Sequence, residues 1–359
     1  MRLKAKKLLA AAIAGLFSFG VMAVDMSDSQ AATRAELASI SVGKSGKFQY
    51  WEKKSEAKAA LVDYVKDVTN PRSKNFIPVE DRIAVFDVDG TLACETAPFC
   101  FDFMMFIHRA LDDPNYRAAP EDRSNAEDVR AAIDAHKVTN DIRRKHCLSN
   151  ANVFGNMTLD EYADYTRNYL ETPVEGFSNL KIGEIFYMPM VEVISYLHAN
   201  QFKIVLVTGA DRQYTRVISE IFPVDNVIGT DYQFVAAAQD GKDGMDYIFT
   251  PGDKIVRGDF ISKNINMNKV SAMARELGKQ PVLAFGNSMG DSSMIFYTTV
   301  DNKYRTEAFM VLCDDLEREF GNQKKADEMR QKSERYGWTP ISMRDDWTTI
   351  YGDKVQRRK

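Results

Sequence analysis

The sequence predicts an α/β protein built on a doubly wound, parallel sheet, and three observations carry that prediction. Short, nearly continuous apolar runs end abruptly in polar loops: Ile83 to Phe86 before DVDGT, Lys203 to Val207 before TGAD, Pro281 to Phe285 before GNSMGD, and Ala308 to Leu312 before CDD. Continuous rather than alternating hydrophobicity is what a strand covered on both faces requires. Apolar residues at helical spacing separate these runs, as in Met190, Val193, Ile194 and Leu197 ahead of the second, or Val270 to Leu277 ahead of the third. Buried strands alternating with helices need crossover connections, and those make the sheet parallel.

Taken in chain order, Arg2, Lys4, Lys6 and Lys7 precede the apolar run Leu8 to Val24, which contains the small-residue site Val21-Met22-Ala23. That is the pattern of a signal peptide over residues 1–23, so the chain is expected to be exported, to a periplasm, a cell surface or the medium. Left uncleaved, the segment would act as a membrane anchor, although its apolar run is slightly short of a full span. Residues 24–50 are small and polar and read as a mobile leader. Leu61, Val62, Val65 and Val68 fall at helical spacing within 55–68, which predicts a helix that ends at Asn70-Pro71 and completes an N-terminal region over 24–82.

The catalytic core is expected over 83–97 and 183–359. Between its first two strands lies far more chain than one crossover helix needs, with amphipathic segments at 99–111, 124–147 and 158–170. This predicts a mostly helical cap over 98–182, inserted after the first core strand. A smaller insertion at 227–262, around the DGKDG turn at 240–244, reads as a hairpin or two.

Composition narrows the function classes. Hydrophobic residues make up 45% and charged residues 27%, which suits a globular core and excludes a disordered or multi-span membrane chain. With 47 basic against 51 acidic residues and a formal charge of −4, nothing points to nucleic acid, and no protein partner is inferred. The four cysteines (Cys94, Cys100, Cys147, Cys313) lack C-x-x-C spacing, which argues against zinc. In an oxidising compartment Cys100 and Cys147, both in the cap, would be the pair to bridge.

Ligands of doubly wound sheets bind beyond the carboxyl ends of the strands, where DVDGT, TGAD and GNSMGD all fall. Asp87 and Asp89 stand two apart there, followed by Gly90-Thr91, which lets the chain turn tightly and offer N–H groups to an anion. An isolated pair of this kind also serves as a turn cap. The ordered set is more specific: DVDGTLACE after one strand, Thr208 after the next, Lys269 at a helix start, then Asn287 and Asp291 in GNSMGD. Over residues 75–350 this resembles the haloacid dehalogenase superfamily of phosphotransferases, with its Rossmann-like core, and within it the exported, phosphoserine-phosphatase-like phosphatases.

The resemblance implies a Mg²⁺-dependent phosphomonoesterase. Asp87 would be the nucleophile forming an aspartyl-phosphate, and Asp89 would protonate the leaving alcohol and then activate water. Thr208 and Gly209 would hold the phosphoryl group, with Ala210 as a further N–H donor, unless Thr208 is only a helix cap. Lys269 would neutralise nucleophile and phosphate, with Lys263 and Lys254 as competitors for that role. Mg²⁺ would take Asp87, the Asp89 carbonyl and Asn287 directly, and Asp291 through water. Much of the superfamily has Asp where this chain has Asn287, so the site is expected to hold Mg²⁺ less tightly.

Glu95 resembles a position that reaches the far end of the substrate in amino-acid phosphatases; a structural ion pair is the competing role. A small phosphomonoester is the implied partner, with an amine-bearing one such as phosphoserine or phosphocholine suggested by that carboxylate. The aromatic and Met cluster Phe99, Phe101, Phe103, Met104, Met105 and Phe106 reads as cap core. The basic runs Arg143 to His146 and Gln356 to Lys359 read as solvated surface or tail, and none of the four His matches a catalytic role. Transfer to an acceptor alcohol uses the same residues, and a binding protein that has lost turnover is the alternative from outside the enzymes.

Overall fold

The structure is a computed structural model that describes residues 32–42, 47–96 and 99–358. The expected signal peptide therefore lies outside the described residues. The chain runs α1 (Arg34–Val42), α2 (Glu56–Thr69), β1 (Ile83–Phe86), α3 (Phe101–Ile107), α4 (Pro120–Asp134), α5 (Asn140–Val153), α6 (Leu159–Leu170) and β2 (Phe177–Ser178). It continues through α7 (Met188–Ala199), β3 (Lys203–Asp211), α8 (Arg212–Ile218), β4 (Asn226–Ala236), β5 (Ile255–Ser262), α9 (Met267–Leu277) and β6 (Leu283–Gly286). The remaining elements are α10 (Ser292–Thr299), β7 (Glu307–Leu312), α11 (Gln323–Tyr336), β8 (Thr339–Ser342) and β9 (Gln356–Arg357). Among the described residues no helix is long and apolar enough to cross a membrane.

Seven strands form one sheet in the order β5-β4-β3-β1-β6-β7-β8, parallel throughout except for the antiparallel β4–β5 pair. The strand alternation explains why the runs read as continuously apolar. Ala84 and Phe86 face one core layer with Ile204, Leu206, Phe285 and Phe309, while Ile83 and Val85 face the other with Val205, Val207, Ala284 and Met310. On the first face Phe86 stacks on Phe285 at 4.3 Å between ring centres, and Phe285 on Phe309 at 5.1 Å. Helices α2, α7 and α8 cover that face; α9, α10 and α11 supply Met273, Met294, Ile295 and Met329 to the other. The doubly wound sheet is thus present.

The stretch between β1 and β2 carries the four helices α3 to α6. Its aromatic and Met cluster is core: Phe101, Phe103, Met105 and Phe106 are all buried, with Phe99 and Met104 packed against them. β4 and β5 form the hairpin expected over 227–262.

Three expectations are corrected. The leader is structured where it is described: α1 buries Leu37 and Ser41, Arg34 donates to the carbonyls of Gly183, Val217 and Ile218, and Phe48 packs on Trp51 and Tyr196. One leucine and one arginine inside a polar segment suffice to dock it, without the periodicity of a longer amphipathic helix. His146 is fully buried rather than solvated, stacked on Phe103 with ring centres 3.8 Å apart. The C-terminal run is at the surface as expected, with Gln356 and Arg358 exposed, and there β9 pairs antiparallel to β2 and Arg357 donates to the Glu319 carbonyl. Cys100 and Cys147 are both free thiols: Cys100 precedes α3 beside the acidic groups of the site, whereas Cys147, within α5, faces the Tyr232 hydroxyl.

Candidate active site

β1 ends where the chain must leave a fully buried strand, and the Asp87 N–H is still bonded to the Phe285 carbonyl of β6 at 3.0 Å. That ladder bond fixes the Asp87 side chain between the ends of the two central strands. The N–H groups of Thr91, Leu92 and Ala93 all converge on the Val88 carbonyl, and Gly90 takes a positive φ of 77° that only glycine adopts without strain. This tight turn carries Asp89 and leads to Glu95.

Lys269, in the first turn of α9, is buried and reaches across to both acidic loops, with Nζ 2.7 Å from Asp87 Oδ1 and 2.8 Å from Asp291 Oδ1. The other Asp291 oxygen accepts from the backbone N–H groups of Asn287 and Ser288 at 3.1 and 3.2 Å, so the loop after β6 is wound around it. Two carboxylates sharing one ammonium leave a net negative charge away from water. Burial, then Asp291, pushes Asp87 up to about 7 against the pull of Lys269. Burial opposes the charge on Lys269 as well, but Asp291 and Asp87 outweigh it and hold the ammonium above its ordinary value.

Asp89 is half-buried, and loss of water, then Asp102 and Asp87, raise its carboxyl well above the usual carboxylate range. A shift in that direction favours the protonated form of the carboxyl, the form suited to donating a proton. Asp102, at the start of α3, is itself pushed up to about 6 by burial, with Lys263 pulling the other way.

Thr208 is fully buried near the end of β3, and its Oγ1 accepts from the Ala210 N–H at 3.0 Å, so Ala210 is already engaged. Thr208 is not the helix cap: Asp211 takes that role, accepting from the N–H groups of Gln213 and Tyr214. Gly209 is locked through its carbonyl, which accepts from the Thr230 hydroxyl at 2.7 Å, and Asn264 donates to the Thr208 carbonyl at 2.9 Å. Of the rival lysines, Lys263 lies over the Phe103 ring at 4.9 Å and Lys254 is exposed, leaving Lys269 with the two carboxylates.

Of the two roles weighed for Glu95, the structure shows the ion pair, together with a contact to Asn287 that was not expected. Glu95 Oε2 accepts from Asn287 Nδ2 at 3.1 Å and pairs with Lys325 of α11 at 3.4 Å. Lys325 carried no local signal in sequence, and neither did the buried ion pair of Asp211 with Arg257 of β5 at 2.5 Å. Both are meetings of residues far apart in the chain.

Among the described residues no group of three or more His, Cys, Asp or Glu side chains is placed to hold a metal. The donors here nevertheless suit a hard divalent cation: a buried surplus of negative charge, the second Asp87 oxygen, the Asn287 carboxamide oxygen and backbone carbonyls.

No curated protein matches the chain. Among solved structures, a protein of unknown function from Bordetella pertussis Tohama I is similar at 16% identity over 72% of this chain and 97% of its own, with a TM-score of 0.46. Cytosolic 5'-nucleotidase IIIB bound to cytidine is similar at 12% identity over 83% and 89%, TM-score 0.46. A probable phosphoserine phosphatase from Vibrio cholerae is similar at 8% identity over 66% and 58%, TM-score 0.35. The model of the haloacid dehalogenase-like hydrolases matches residues 84–295, from β1 to within α10 and across every loop of the site, and the chain belongs to that family of hydrolases.

Proposed function

We propose that the protein is an exported, Mg²⁺-dependent phosphomonoesterase that acts on a small substrate through an aspartyl-phosphate. The observation that carries this reading is the Lys269 ammonium bridging Asp87 and Asp291 at 2.7 and 2.8 Å, with Asp89 raised beside them. An anionic nucleophile attacks an anionic phosphate only where cations mask the repulsion. Asp87 attacks phosphorus as the alcohol oxygen leaves with the Asp89 proton. Asp89, now a carboxylate, takes a proton from water, whose oxygen attacks phosphorus and frees phosphate and Asp87. Thr208 and Gly209 hold the phosphoryl oxygens, and Lys269 matches their charge.

Mg²⁺ would be held by Asp87, the Asp89 carbonyl and Asn287, and would supply further positive charge against the phosphoryl oxygens. Asp291, both oxygens already engaged, suits a role through water. Glu95 is bonded to Asn287 and Lys325, so an amine on the substrate is not part of the reading. Export rests on the basic and apolar pattern of residues 1–23.

The mature chain is expected to hydrolyse p-nitrophenyl phosphate with Mg²⁺ and to lose that activity in EDTA and in Asp87→Asn. Activity that survives either treatment refutes the mechanism. N-terminal sequencing of protein secreted by the producing cell tests export, with a start at Val24 as the expected result.

A further inference from the structure

Asn287 faces Gly90 and Glu95 so closely that a Cβ on Gly90 would land on its carboxamide nitrogen and come 2.8 Å from Glu95 Oε2. The same Glu95 oxygen receives two donors, Asn287 Nδ2 at 3.1 Å and Lys325 Nζ at 3.4 Å. An oxygen that accepts twice has nothing to donate, so only the NH₂ side of the carboxamide can face it. Lys325 sits in the first turn of α11, where a cation opposes the helix dipole, so the helix itself gains nothing from the charge there.

From this arrangement we propose that Glu95, anchored by Lys325, is a positioning residue: it holds the Asn287 carboxamide in the one orientation that leaves the carbonyl oxygen for a divalent cation. The inference rests on the Mg²⁺ reading of the site. A carboxamide, unlike a carboxylate, has a wrong way round, and turned by 180° it would present NH₂ groups to the metal. The polar partners that orient metal ligands typically contribute tenfold or more to affinity. Glu95 and Asn287 are also a matched pair, because a carboxylate at 287 would lie against the Glu95 carboxylate.

Calorimetric titration of Mg²⁺ alone into the mature chain tests this without turnover. Glu95→Ala removes the acceptor, whereas Glu95→Gln keeps a side-chain oxygen able to take the Nδ2 hydrogen. The expected Kd for Mg²⁺ is about tenfold weaker in Glu95→Ala than in Glu95→Gln. A difference under fivefold overturns the proposal, and a merely structural Glu95 would lower Tm without moving Kd. Should Glu95→Ala fail to fold, Glu95→Met decides against Glu95→Gln: it fills similar space without an acceptor for the Nδ2 hydrogen, at the same charge, and is expected to bind Mg²⁺ about tenfold more weakly than Glu95→Gln. A difference under fivefold between those two variants likewise overturns the proposal. A wild-type chain that shows neither Mg²⁺ binding nor Mg²⁺-dependent hydrolysis removes the phosphatase reading itself, and that result is distinct from either failure.

Discussion

Asp89 and Glu319 show how burial sets the chemistry of single carboxyls. On the mechanism proposed above, Asp89→Asn would keep the backbone carbonyl for Mg²⁺ and remove the proton carrier, so kcat is expected to fall by roughly 10²- to 10⁴-fold with Mg²⁺ affinity within about threefold of wild type. Steady-state kinetics with a parallel calorimetric titration checks both. Glu319 lies outside that chemistry: fully buried, it is bonded to the Tyr351 hydroxyl and the Phe320 N–H. Burial pushes its carboxyl up to about 7 from an ordinary 4.5. The folded state therefore prefers the protonated form. The stabilisation it gives is complete below the unfolded value and is lost as pH rises from about 4.5 to about 7. A shift of this size corresponds to roughly 3 kcal/mol. Urea unfolding across that range should show a declining stability in wild type and a flatter profile in Glu319→Gln; parallel profiles would refute the assignment.

At the scale of elements, α1 shows that a short helix is held by tertiary contacts rather than by its own propensity. Leu37 is fully buried in the main core, and Arg34 donates to three carbonyls at the ends of distant elements. Leu37→Ala should destabilise the fold by about 2–5 kcal/mol, the range for a buried leucine truncated to leave a cavity. Chemical denaturation measures it, and a change below about 0.5 kcal/mol, the usual size of a surface substitution, would mean that α1 is dispensable.

For the whole molecule, the joint between the helical insertion and the sheet is polar as well as apolar. Asp211, which caps α8 directly after the Thr208 loop, pairs with Arg257 of β5, and accepts from Tyr162 of α6 and Asn150 of α5. Its own N–H donates to Asp102 of α3. Both members of the ion pair are 2% exposed, so removing one strands the other charge away from water. Arg257→Ala should cost about 3–5 kcal/mol and loosen α5 and α6 from the sheet. Hydrogen exchange that speeds up in those helices while β1 and β6 stay protected is the expected signature; uniform acceleration would make the pair a global stabiliser only.

What the sequence determined by itself is the layered α/β core and the polar loops that close its strands. A doubly buried strand leaves a continuous apolar run, and a functional loop at its end leaves an abrupt change to Asp, Gly and Thr. Both are local patterns, so the loops that carry Asp87, Thr208, Asn287 and Asp291 were legible, whereas Lys269 was singled out by the family resemblance and its meeting with Asp87 and Asp291 is a tertiary contact. Tertiary structure alone decided the partners. Glu95 faces Asn287 and Lys325, residues 192 and 230 positions away in the chain, and His146 leaves a basic run to stack on Phe103. A side chain's charge is written in the sequence, but its neighbours, and therefore its pKa and its work, are set by packing between segments that carry no record of one another.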